Sequence, residues 1–116
     1  MRGLPLEHQL LTLGATFEKE CETAPKYRMY VIDGPIKKPG MIQDEQGSAL
    51  RAEVYRIPVD NLGRFLMLIP APLCLGSVEL SDGTKVIGFL CESYAVKDCE
   101  EITRYQSWRT YIEKNM

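Results

Sequence analysis

Leu68 to Glu92, LIPAPLCLGSVELSDGTKVIGFLCE, constrains the fold of this chain more than any other stretch. Pro70 and Pro72 forbid continued helix and push their neighbours toward extended backbone. Leu75 to Leu80 then reads as a strand, Ser81-Asp82-Gly83 as a tight turn and Thr84 to Glu92 as the antiparallel partner. Asp-Gly is a strong hairpin signal because glycine supplies the positive φ that such a turn needs. Gly88, inside the second strand, signals a bulge or another backbone packed close. The stretch specifies a fold element and spells out no chemistry.

The rest of the chain is read outward from this hairpin. Leu6 to Leu13 reads as a short helix between Pro5 and Gly14, with Leu6, Leu10 and Leu13 on one stripe. His8 falls on the opposite, solvated side, and Gln9 borders the stripe, placed to reach an interior pocket. Phe17 to Pro25 reads as an exposed strand end or loop. Lys26 to Ile32 is a strand, rich in aromatic and β-branched residues and bounded by Pro25 and Asp33-Gly34-Pro35. Gly40 to Ile42 is a brief extended return, and Asp44 to Ser48 a turn. In Leu50 to Ile57, Leu50, Ala52 and Val54 alternate with Arg51, Glu53 and Tyr55, which puts Glu53 and Tyr55 on one face. Asp60 is the expected N-cap of a helix from Asn61 to about Leu68. Ser93 to Cys99 connects to a continuous terminal helix, Glu100 to Lys114, whose Ile102, Tyr105, Trp108 and Ile112 recur at helical spacing.

Length and composition exclude several classes. At 116 residues, 45% hydrophobic and 26% charged, the chain reads as one globular domain. A net charge of -2, with no basic run longer than Lys37-Lys38, speaks against a nucleic-acid partner. No apolar window of about 18 residues exists to span a membrane. The four cysteines form no close pair and His8 is the single histidine, so neither a zinc site nor any other metal or cofactor is expected. Without a signal-peptide pattern, a cytoplasmic location with reduced cysteines follows. Nucleotide-binding, zincin and serine-hydrolase motifs are missing. What remains is Glu53 and Glu92, Gln9, Tyr27, Tyr30, Tyr55 and Ser93, and Arg2, Arg28 and Arg109. Such a set suits a small polar anion or amide, and suits an ordinary protein surface equally.

Ile69-Pro70-Ala71-Pro72-Leu73, followed by Gly76 to Gly83 and Gly88 to Glu92, resembles the C-terminal domain of allophanate hydrolase. Other landmarks agree in order: Gly3-Leu4-Pro5-Leu6 with Gln9-Leu10, Gly14-Ala15, Tyr27-Arg28, Lys38-Pro39-Gly40, Glu53-Val54-Tyr55, Ile102-Thr103 with Tyr105, and Trp108-Arg109 with Tyr111. The resemblance implies an α+β fold: a small mixed β-barrel of gamma-glutamylcyclotransferase-like type with peripheral helices, one domain over residues 1–116 that lacks the family's first strand and its histidine. It implies a metal-independent step of urea and allophanate breakdown, in which N-carboxycarbamate, a small carboxylated amide, goes to carbon dioxide and ammonia. Arg2, Gly3, Leu4 and Gln9 would hold the anionic substrate, and Glu53 and Tyr55 are the candidate catalytic groups. A non-catalytic binding or assembly module of the same fold stands beside this reading, with a homo-oligomer or an amidase as partner. Cyclotransferase activity is disfavoured, because NLGRFLMLIPAP, where that activity keeps its glutamate, holds no acid.

Overall fold

The computed structural model describes residues 5–115, with side chains from Glu7 onward. Strands pair two by two. β1 (Thr16–Glu22) runs antiparallel to β4 (Arg51–Arg56), β2 (Tyr27–Ile32) to β3 (Lys38–Gln43), and β5 (Leu73–Glu79) to β6 (Lys85–Cys91). Helices α1 (Pro5–Thr12), α2 (Val59–Met67) and α3 (Trp108–Asn115) complete a small mixed α and β domain with a radius of gyration of 13.7 Å.

The main core lies on β2. Its alternation turns Tyr27, Met29 and Val31 inward against Leu50, Val78, Ile102 and Tyr111. A second cluster, Leu10, Ala15 and Phe65, joins α1 to α2. Thr23, 2% exposed, closes the end of the β1–β4 pair: its hydroxyl donates to the Ala24 carbonyl at 2.9 Å and accepts from the Leu50 amide at 2.9 Å. A buried hydroxyl left unpaired would be destabilising; here it is satisfied twice.

A closed barrel is not traced by these ladders. Among the described residues there are three separate two-stranded sheets, all antiparallel; an isolated bridge, Thr23↔Leu80, lies just past the ends of β1 and β5, and two more, Tyr27↔Ser48 and Tyr30↔Glu101, tie β2 to segments outside the strands. β3 lies beside β6, where a methyl added to Gly40 would sit 3.1 Å from Cys91 Cβ, yet the two strands form no ladder.

The central hairpin follows the sequence closely. Gly83 takes φ 88°, its amide donates to the Leu80 carbonyl at 2.9 Å, and Asp82 Oδ1 accepts from the Thr84 amide at 3.0 Å. The peptide between Ala71 and Pro72 is cis. Gly88 marks no bulge: register runs unbroken from Leu73↔Cys91 to Glu79↔Lys85. It is small because a Cβ there would meet Val78 Cγ2 at 2.7 Å.

Three expectations are corrected. Phe17 to Pro25 is not a strand end or loop throughout, because Thr16–Glu22 forms a full strand held by β4. Asp60 does not cap α2: Pro58 precedes the helix and makes no side-chain cap, and Asp60 sits in the first turn, where its charge still suits the helix dipole. The terminal helix is not continuous. The Val31 amide donates to the Glu100 carbonyl at 2.9 Å and the Ile102 amide to the Met29 carbonyl at 2.7 Å, so this stretch is held on the β2 edge. A 3-10 turn over Thr103–Tyr105 follows, and Gln106 adopts φ 66°. Ser107 then starts α3, its hydroxyl accepting from the Thr110 amide at 3.1 Å as an N-cap.

Candidate functional site

α1 and β4 meet at the margin of the second apolar cluster. Leu10, 5% exposed, fixes which side of α1 faces inward. Glu7 lies three residues earlier, on the same side of a helix. Across from it, the Tyr55 hydroxyl on β4 donates to Glu7 Oε2 at 2.6 Å. Phe17 packs edge-on against the Tyr55 ring with centroids 5.5 Å apart. Behind the ring lie Leu10, Ala15 and Phe65, with Leu13, Ile57 and Phe89 around them. A carboxylate thus accepts a hydrogen bond from a phenol beside apolar side chains, where a hydrogen bond is stronger than in water. The end of α1 is fixed too: Gly14 turns the chain at φ 84°, and Asn61 Nδ2 of α2 donates to the Leu13 carbonyl at 2.7 Å.

Of the expected site residues, Tyr55 stands in this pair. Glu53 shares its face of β4, half-buried, with Glu20 of β1 directly opposite. Gln9 is exposed, not lining an interior pocket, because helical geometry turns it about 100° away from the buried Leu10. His8 is exposed, as its position on the polar side of α1 predicts. Arg2, Gly3 and Leu4 lie outside the described residues.

Glu7 was not singled out by the sequence. Its spacing of three makes it a neighbour of Leu10 on the helix surface, but like Gln9 it only borders the leucine stripe, so the sequence held no signal that distinguished it.

Other members of the candidate set have structural tasks. Arg28 Nη1 donates to Glu101 Oε1 at 3.1 Å and its Nε lies 2.9 Å from Asp44 Oδ2. Asp44, then Glu101, hold the guanidinium charged. Two carboxylates already face this cation, so it closes a loop on β2. Tyr27, 1% exposed, accepts the Glu79 amide at 2.9 Å. Burial pushes the Tyr30 phenol and the Cys91 thiol up from their ordinary values. Cys74 is half-buried in β5. Among the described residues no group of three or more His, Cys, Asp or Glu is placed to hold a metal, and no helix is long and apolar enough to cross a membrane.

Comparison with known proteins gives concordant matches. The family model of the allophanate hydrolase C-terminal domain matches residues 1–113. A urea amidolyase of Lachancea kluyveri is 40% identical over 119 residues, which is 97% of this chain and 6% of the relative. A urea amidolyase of Saccharomyces cerevisiae is 38% identical over the same shares of each chain. The chain therefore spans only a small part, 6%, of these curated relatives. Among solved structures, Kluyveromyces lactis allophanate hydrolase superposes with TM-score 0.94 at 35% identity, covering 100% of this chain and 20% of that one. A uropathogenic E. coli-specific protein, c4763, gives TM-score 0.89 at 34% identity, covering 100% of this chain and 91% of that one.

Proposed function

Because the chain belongs to the family of allophanate hydrolase C-terminal domains, we propose that it binds a small carboxylated amide of the N-carboxycarbamate type and promotes its loss of carbon dioxide, within urea and allophanate metabolism. The observation that carries this reading is the family match over residues 1–113, which takes in every element around the α1–β4 site. On the same grounds we assign the gamma-glutamylcyclotransferase-like fold.

The chemistry asked of such a site is modest. The anion must be held with its breaking carbon–nitrogen bond oriented, and the departing nitrogen must receive a proton. The Glu7–Tyr55 pair offers a route for that proton. A second negative charge brought beside Glu7 favours its uptake of a proton from solvent, the proton that the relay then passes on. Protonated Glu7 then donates to the Tyr55 oxygen, whose own hydrogen turns to the departing nitrogen. Arg2 and the Gly3-Leu4 backbone would hold the substrate, with Glu53 at the rim. No cofactor enters this scheme.

A second reading, a non-catalytic binding or assembly module, is favoured by one observation: α2 exposes large apolar side chains, Val59 and Met67, each 85% open.

Malonate, a stable dianion of similar size, tests the first reading. Titrated into the full chain, it raises the melting temperature saturably, since a ligand that binds only the folded state stabilises it by mass action. Acetate at equal ionic strength leaves it unchanged. Identical melting curves in both salts would overturn the substrate assignment.

A further inference from the structure

Helix α2 is apolar on two sides, and the fold uses one. Phe65, 4% exposed, packs inward and Asn61 bonds to the Leu13 carbonyl. On another side Val59, Gly63 and Met67 form an i, i+4, i+8 ridge that the fold leaves open. Val59 and Met67 are each 85% exposed, and a methyl added at Gly63 would meet no atom within 4 Å. Glycine within a helix is unfavourable relative to alanine, and nothing inside this domain requires its small size. Toward the hairpin, Leu62 and Leu66, with Val59 and Gly63 of the ridge itself, line a groove of about 670 Å³ whose far wall carries Leu75, Ile87 and Lys85. Apolar surface gathered in this way marks an interaction site. On the ridge's other flank stand Asp60 and Arg64, both exposed and neither in an ion pair among the described residues.

We propose that this ridge is a self-association face, on which two copies of the chain pack α2 against α2 in antiparallel fashion about a two-fold axis at Gly63. Val59 of one copy then lies against Met67 of the other, and the glycine notches let the helices approach closely, with i±4 ridges in contact. A two-fold across antiparallel helices brings like flanks together. The leucine-lined flank meets its own copy. On the other flank, Asp60 of one copy meets Arg64 of the second, because reversing the helix reverses the order of acid and base. This charge complementarity is what selects a second copy of the same chain as the occupant, independently of any catalytic reading.

Sedimentation velocity of the full chain over a concentration series tests it, with circular dichroism confirming that each variant folds. The wild type shows a reversible monomer–dimer equilibrium. Met67→Glu abolishes it; should that variant fail to fold, Val59→Glu carries the same test. Asp60→Arg and Arg64→Asp each weaken association at least about tenfold, since like charges then face each other. The double exchange Asp60→Arg/Arg64→Asp restores it. A wild type that stays monomeric throughout, a dimer indifferent to Met67→Glu, or a double exchange no better than either single change would each overturn the proposal.

Discussion

Tyr55 and Tyr27 show how one residue type serves two ends. Tyr27 is enclosed, and its oxygen satisfies the Glu79 amide at 2.9 Å. Tyr27→Phe leaves that amide without its acceptor and is expected to destabilise the domain by about 1–3 kcal/mol. Urea unfolding should show a lower midpoint at unchanged slope. Tyr55 sits at a margin, its hydroxyl 2.6 Å from Glu7 Oε2. Glu7→Gln keeps a hydrogen-bonding group beside the phenol but cannot relay a proton. We expect malonate binding to persist while turnover falls about 100-fold, the scale of general acid catalysis. Sequence placed Tyr55 and Glu53 on one face from strand alternation, and that inference needs no tertiary knowledge. It missed Glu7, because a lone glutamate on a short helix gains meaning only when a partner strand arrives from 48 residues away. A pH effect also belongs at this scale. Lys26 Nζ lies 2.8 Å from Glu79 Oε1, and its hydrogen bond and charge lower the Glu79 carboxyl below its ordinary value, while the same pairing raises Lys26. A lowered folded-state value means stability present above the unfolded carboxylate range and lost as pH falls through the folded one. A raised lysine means stability lost at the alkaline end. Thermal melts against pH should therefore show Glu79→Gln converging on wild type in acid, and differing from it at neutral pH.

At the scale of elements, legibility tracks how local the determining forces are. The β5–β6 hairpin was readable because Asp82-Gly83 and the alternating flanks act over a few residues. The break before α3 was not, because Gln106 takes a left-handed conformation without being glycine, and what draws the chain out of helix is hydrogen bonding of Glu100 and Ile102 to β2. The apolar stripe was still right about burial: Ile102 is in the main core, with Tyr105, Trp108 and Ile112 against it. Two glycines make opposite predictions. Gly88→Ala forces a Cβ to within 2.7 Å of Val78 Cγ2, inside the core, and should cost about 1–3 kcal/mol. Gly63→Ala meets no atom within 4 Å and should stabilise the monomer by up to about 1 kcal/mol. Melting temperatures of the two variants at low protein concentration should move in opposite directions.

For the whole molecule, the chain's landmarks pointed to the family, and its α and β content was readable, but the closure of its sheets was not. Whether strands curl into one barrel depends on which edges find each other, and here β3 lies beside β6 without a ladder while a single bridge, Thr23↔Leu80, links the ends of the β1–β4 and β5–β6 pairs. The position of the site at the α1–β4 junction likewise arises only when Leu10, Ala15 and Phe65 collapse together. We propose that this junction binds a carboxylated amide and delivers a proton to its nitrogen. Ammonia release from freshly generated N-carboxycarbamate, followed with the full chain, with Tyr55→Phe at equal concentration and with buffer alone, tests it most directly. The wild type should accelerate release and Tyr55→Phe should be about 100-fold slower; a wild-type rate equal to buffer, or a Tyr55→Phe rate equal to wild type, would contradict the assignment.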